Sequence, residues 1–98
     1  MPESVLPNGN YYILHASGDS MIDVGIEDGD DILIRQQDVA NEGDIVVAYI
    51  DGETTIKRIH FDDANQRIVL RPANDQYEPK AYQQIEIQGV AIKILKSL

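Results

Sequence analysis

The chain contains no cysteine. That removes disulfides, thiolate zinc sites and cysteine nucleophiles together, and it fits a reducing compartment, so a cytoplasmic location is expected. Positive charge is scarce: eight Lys and Arg stand against seventeen Asp and Glu, a formal net charge of −9. A surface this acidic repels a phosphate backbone, which argues against direct nucleic-acid binding. No apolar run approaches the roughly 20 residues needed to span a bilayer. The first residues show neither the basic nor the apolar region of a secretory leader, and no membrane partner is expected. There is no glycine-rich phosphate loop, internal repeat or low-complexity tract. The tyrosines are scattered away from basic residues and make no stacking platform for single strands. What remains is 98 residues with 43% hydrophobic content, the profile of one small acidic globular domain. That size lies near the lower end for a self-sufficient core, a reason to expect oligomer formation.

Residues 1–10, MPESVLPNGN, hold two prolines, a glycine and two asparagines. They read as an arm or linker ahead of a single domain over 11–98. Beyond them the pattern is strand-like almost throughout. The segments 11–16, 31–35, 44–50, 53–60, 67–71, 85–88 and 90–96 are short, rich in Ile and Val, and separated by Gly, Asp, Asn or Pro. No stretch keeps helical periodicity for three turns, and the best case for helix is a single turn over 20–24. The expected fold is mostly β: twisted antiparallel sheets in a partly open, barrel-like arrangement with little helix.

The sharpest local signal is Ile50-Asp51-Gly52-Glu53. Asp-Gly between two apolar strands is a type I′ hairpin signature, because both turn residues need positive φ. A two-residue loop fixes the register, so Ala48 should face Thr55, Val46 should face Lys57 and Asp44 should face Ile59. Lys57 then shares a sheet face with Val46, Ala48, Thr55 and Ile59. Both faces of 45–50 are apolar, which predicts a central hairpin covered on both sides.

A lysine on an apolar face has an ordinary explanation: its stem lies on Val46 and Ile59 and its ammonium reaches water. The alternative is a desolvated amine with a lowered pKa, usable as a general base near neutral pH. Ser17-Gly18-Asp19-Ser20-Met21 presents a similar choice. It is either an ordinary polar turn with Ser20 capping a short helical turn, or a serine just past a strand end beside free backbone N–H groups, a setting suited to a nucleophile with an oxyanion hole.

Weaker constellations complete the survey. Glu27-Asp28-Gly29-Asp30-Asp31 lacks the alternating ligands and closing glutamate of a calcium loop and reads as a turn between strands. His15 and His60 can be imagined in a Ser/His/Asp triad with Ser20, but each alternates with apolar neighbours and has no preferred acidic partner in sequence.

Ser20 and Lys57 gain meaning together. The run Ser17-Gly18-Asp19-Ser20-Met21, with Asp23, Gly25-Ile26 and Asp28-Gly29-Asp30, resembles the nucleophile segment of the LexA/UmuD family of self-cleaving Ser-Lys peptidase domains. Gly43 to Ala48, Asp51-Gly52-Glu53 and Thr55-Ile56-Lys57-Arg58 resemble its lysine-bearing segment. The two residues are separated by 57 − 20 = 37 positions, similar to the family's spacing. Pro72-Ala73-Asn74 and Gly89 to Ile92 fit as well, and the similarity covers about residues 8–98.

The resemblance implies Ser20 as nucleophile, Lys57 as general base and the backbone N–H groups of Asp19 and Ser20 as the oxyanion hole. It implies a LexA/signal-peptidase-like fold, no cofactor and no metal. It also implies a homodimer, a RecA filament as the trigger of self-cleavage in the response to DNA damage, and DNA contact only through a separate N-terminal domain. Family members cleave themselves at Ala-Gly or Cys-Gly, and neither dipeptide occurs here. The chain is therefore expected to be the C-terminal catalytic and dimerisation domain of a LexA-like repressor. Asp19 before the serine also matches UmuD-like polymerase accessory subunits, and a phage-repressor dimerisation module with a silent dyad is the alternative of another class.

Overall fold

The structure, a computed structural model, describes residues 9–18 and 21–95. Seven strands follow in chain order: β1 (Tyr11–His15), β2 (Asp31–Arg35), β3 (Ile45–Ile50), β4 (Glu53–Asp62), β5 (Arg67–Arg71), β6 (Lys80–Tyr82) and β7 (Glu86–Leu95). They form one antiparallel sheet in the order β1-β2-β7-β3-β4-β5-β6. Helix among the described residues is limited to two 3₁₀ turns, Ile22–Val24 and Asp63–Asn65. The mostly antiparallel β architecture expected from the sequence is thus the one observed.

The β3–β4 hairpin has the register that its turn dictates. Ile50 pairs with Glu53, Ala48 with Thr55 and Val46 with Lys57. Asp51 and Gly52 take φ of 52° and 84°, the left-handed pair that a type I′ turn requires. The hairpin is central, and its alternating side chains supply two cores. Val47 joins Ile32, Ile34, Met21 and Ile26 on one face, while Val46 and Ala48 join Ile59, Leu70 and Val90 on the other. The run of Ile and Val in β3 reflects this two-sided burial. Tyr49 departs from it, being 42% exposed near the turn.

Two elements differ from the sequence expectation. Residues 85–88 and 90–96 are not separate strands, because β7 runs through Gly89. A Cβ on Gly89 would lie 2.3 Å from Ile34 Cγ2 and 2.8 Å from the Arg35 carbonyl oxygen. Glycine is there for close approach of β2, not to break the strand. On either side, register shifts against β2 and β3 let β7 serve both partners. The second difference is β6, which sequence pattern does not reveal. It is three residues long, follows Pro79, contains Lys and Ala, and pairs only with β5 at the sheet's edge. The helical turn expected over 20–24 is a 3₁₀ turn at Ile22–Val24, with Gly25 left-handed behind it.

Candidate active site

Lys57 sits in β4 on the face predicted for it, two residues from Ile59, which is fully buried. Its side chain is half-buried. The ammonium nitrogen Nζ donates to Thr55 Oγ1 at 2.7 Å and to the Ile56 carbonyl at 3.1 Å. Burial pushes the Lys57 pKa down, and the positive charge of Lys80 adds to the effect. Lysine keeps its proton less readily here than in water, as the desolvated-amine reading requires. A neutral amine has two N–H bonds and one lone pair, so engaging the N–H groups on Thr55 and Ile56 orients the lone pair.

A cleft of about 680 Å³ runs past Lys57 between the β3–β4 turn and the segment leading into β6, and a smaller cavity of about 250 Å³ lies behind it. Gly18, Thr55 and Lys57 line both. The serine-bearing segment and the lysine strand therefore meet at one place, which 37 residues of sequence separation do not by themselves dictate. Asp19 and Ser20 lie outside the described residues.

The chain on each side of those two residues is anchored. Before them, Ala16 donates its N–H to the Asp30 carbonyl and accepts from Gly29 N–H, and Gly18 N–H donates to Asp28 Oδ1 at 2.8 Å. After them, Met21 is only 3% exposed. Its Sδ accepts from Ala73 N–H, and Asp23 N–H donates to the Ala73 carbonyl at 2.7 Å. Pro72, next to Ala73, lines the cleft. The 72–74 segment thus has a structural task, to fix the residues that follow the serine.

The two histidines are engaged with acidic partners. His15 pairs with Asp31 directly across β1 and β2, Nδ1 to Oδ1 at 2.7 Å, at an exposed site on the rim of the smaller cavity. His60 is hydrogen-bonded to Glu42, and β4 alternation puts it on the sheet face opposite Lys57. Both histidines have acidic partners that sequence neighbours could not disclose. The 27–31 run is the turn it was read as: Asp28 holds Gly18 and Asp30 accepts from Glu27 N–H. No group of three or more metal-ligating side chains is assembled among the described residues. Likewise, no helix among them is long and apolar enough to cross a membrane.

Sequence reasoning undervalued Thr55, Lys80 and Asp28. Thr55 was legible as the i−2 neighbour of Lys57 on one strand face. Lys80 needed β6, and Asp28 needed the pairing of two turns ten residues apart.

The sequence profile described as Peptidase S24-like matches residues 1–92. The chain belongs to the Peptidase S24-like family. This S24-like chain is accordingly a member of a serine peptidase family. It is 43% identical over 97 residues to a LexA repressor of Carboxydothermus hydrogenoformans, covering 98% of the chain and 48% of that relative. It is 42% identical to a LexA repressor of Acidothermus cellulolyticus over 100% of the chain and 35% of the relative. To that of Zymomonas mobilis it is 44% identical over 98% and 45%. The S24-like chain thus spans about half or less of the length of these curated relatives. Their common name favours the LexA-like branch over the polymerase-subunit alternative.

Proposed function

We propose that this chain is the catalytic and dimerisation domain, residues 11–98 with an arm over 1–10, of a LexA-like SOS repressor. Its Ser20–Lys57 dyad cleaves a segment of the same polypeptide and so inactivates the repressor. One observation carries the proposal: Lys57, a half-buried amine with a lowered pKa, lines the same cleft as Gly18 of the serine-bearing segment.

In the first step Ser20 Oγ attacks the scissile carbonyl carbon while neutral Lys57 Nζ takes the hydroxyl proton. The Asp19 and Ser20 N–H groups receive the oxyanion. Gly18 N–H, already donating to Asp28, takes no part. Collapse breaks the C–N bond, and the Lys57 ammonium returns the proton to the leaving amine. Water, deprotonated by Lys57, then hydrolyses the ester and frees Ser20.

The assembly proposed is a homodimer, with cleavage triggered by a RecA filament and DNA held only by a separate N-terminal domain. β7 beyond Val90 pairs with β2 on one side and has no strand on its other side among the described residues. Ile92, 48% exposed, lies in that stretch, which suits pairing with a second copy.

Supplying a peptide with an Ala-Gly site in trans tests the dyad. Wild type is expected to cleave it. Ser20→Ala and Lys57→Ala are expected to fold and not to cleave, with losses of at least about 10³-fold. Near-wild-type turnover in Ser20→Ala contradicts the proposal.

A further inference from the structure

The serine-bearing segment joins β1 to the 3₁₀ turn Ile22–Val24, which leads on to β2, the antiparallel partner of β1. Met21 fixes the far end by burial. The near end is anchored at Ala16, 6% exposed, but Ser17 and Gly18 beyond it are both exposed. Gly18 also has φ of 84°, a conformation reached easily only by glycine. The Gly18 N–H is held by a side chain from another turn. The 27–31 turn lies against β1's exit through the Ala16 N–H to Asp30 carbonyl bond of 2.8 Å and the Gly29 N–H to Ala16 carbonyl bond of 2.9 Å. The Asp28 carboxylate extends that ladder by one rung, accepting from Gly18 N–H at 2.8 Å.

We infer that Asp28 is a positioning residue for the serine-bearing segment: its carboxylate oxygen on the Gly18 N–H sets the orientation of that peptide, two residues ahead of Ser20. The inference rests on Ser20 being the nucleophile. Asp28 touches no reacting atom. It acts through the backbone, and its contribution is acceptor geometry, not charge. Attack geometry is demanding, and displacement by about 1 Å lowers a rate by roughly a hundredfold.

Three substitutions separate geometry from charge. Asp28→Asn keeps an oxygen at the Oδ1 position and removes the charge. Asp28→Glu keeps the charge and moves the oxygen by one methylene. Asp28→Ala removes both. Cleavage of the Ala-Gly peptide is expected to show kcat lowered about ten- to a hundredfold in Ala and Glu, with KM and the pH midpoint unchanged. Asn is expected to lie near wild type. Amide hydrogen exchange at Gly18 reads the contact without any cleavage: it should quicken in Ala and Glu and stay slow in Asn. If Ala destabilises the fold, the Asn and Glu pair still decides. Wild-type kcat in Asp28→Glu, or Asn as slow as Glu, overturns the inference. Cleavage surviving in Ser20→Ala overturns the nucleophile assignment instead, while Gly18 exchange still reports on Asp28.

Discussion

Lys57 answers to two opposing demands. Its stem belongs to a packed sheet face with Val46 and Ile59, and under the proposed mechanism its amine gives up a proton without leaving that face. Burial depresses its pKa, and Thr55 and Ile56 supply acceptors that keep the depressed amine oriented. The same burial has a consequence for stability. The folded pKa lies below the unfolded value of about 10.4, so between the two the unfolded chain binds the extra proton. Wild-type stability therefore rises with pH through that window and levels off above about 10.4. Lys57→Met keeps much of the stem's volume and removes the amine. It should be inactive and more stable than wild type at pH 7, with the advantage shrinking as pH nears 10. Denaturant melts at about pH 7 and 9.5 check this. A Met variant no more stable at pH 7 means that the ammonium is charged and well solvated in the fold. The half-exposure of Lys57 limits the size of the effect but not its sign.

At the scale of elements, β7 and the β3–β4 hairpin set the architecture. β7 joins the two halves of the sheet and meets β2 so closely at Gly89 that no side chain fits. Because one obstructing atom is backbone, relief needs more than a rotamer change. Gly89→Ala is expected to destabilise the fold by about 2–3 kcal/mol, measurable by denaturant unfolding. A change below about 0.5 kcal/mol, within the range of an ordinary surface substitution, would mean that β2 yields freely.

The hairpin was legible because Asp51-Gly52 admits one turn type, and register then follows by counting. Lys57's neighbours came with it. β7's continuity was not legible, since a strand glycine marks a break as readily as a close approach. Nor was β6, whose three residues carry too little pattern. The contacts that complete the site, Asp28 on Gly18 and Ala73 on Met21, join residues ten and 52 positions apart in the chain. They depend on how turns stack outside the ladders, where no periodicity in the sequence reports. Family resemblance reached the two proposed catalytic positions and the segments that carry Asp28 and Ala73, but not the contacts those residues make.

The whole molecule is acidic, with a net charge of −9, and its two cores are small. Pairing along β7 would cover exposed apolar surface at Ile92 and add to a stability that a 98-residue chain supplies only narrowly. Sedimentation at tens of micromolar, an order-of-magnitude choice for a weak dimer, is expected to show a dimer that does not shift duplex DNA at physiological salt. A monomer alone contradicts the proposed assembly. A DNA shift contradicts the charge argument, because a surface with a net charge of −9 repels a phosphate backbone.

The pH dependence of peptide cleavage tests the central claim most directly. With Lys57 as the base, the rate should rise with pH to a single midpoint below about 10.4. The profile should be unchanged in His15→Ala, whose imidazole is engaged with Asp31, and absent in Lys57→Met. A flat profile, or a pH dependence that vanishes in His15→Ala, would show that a lysine base does not drive the reaction.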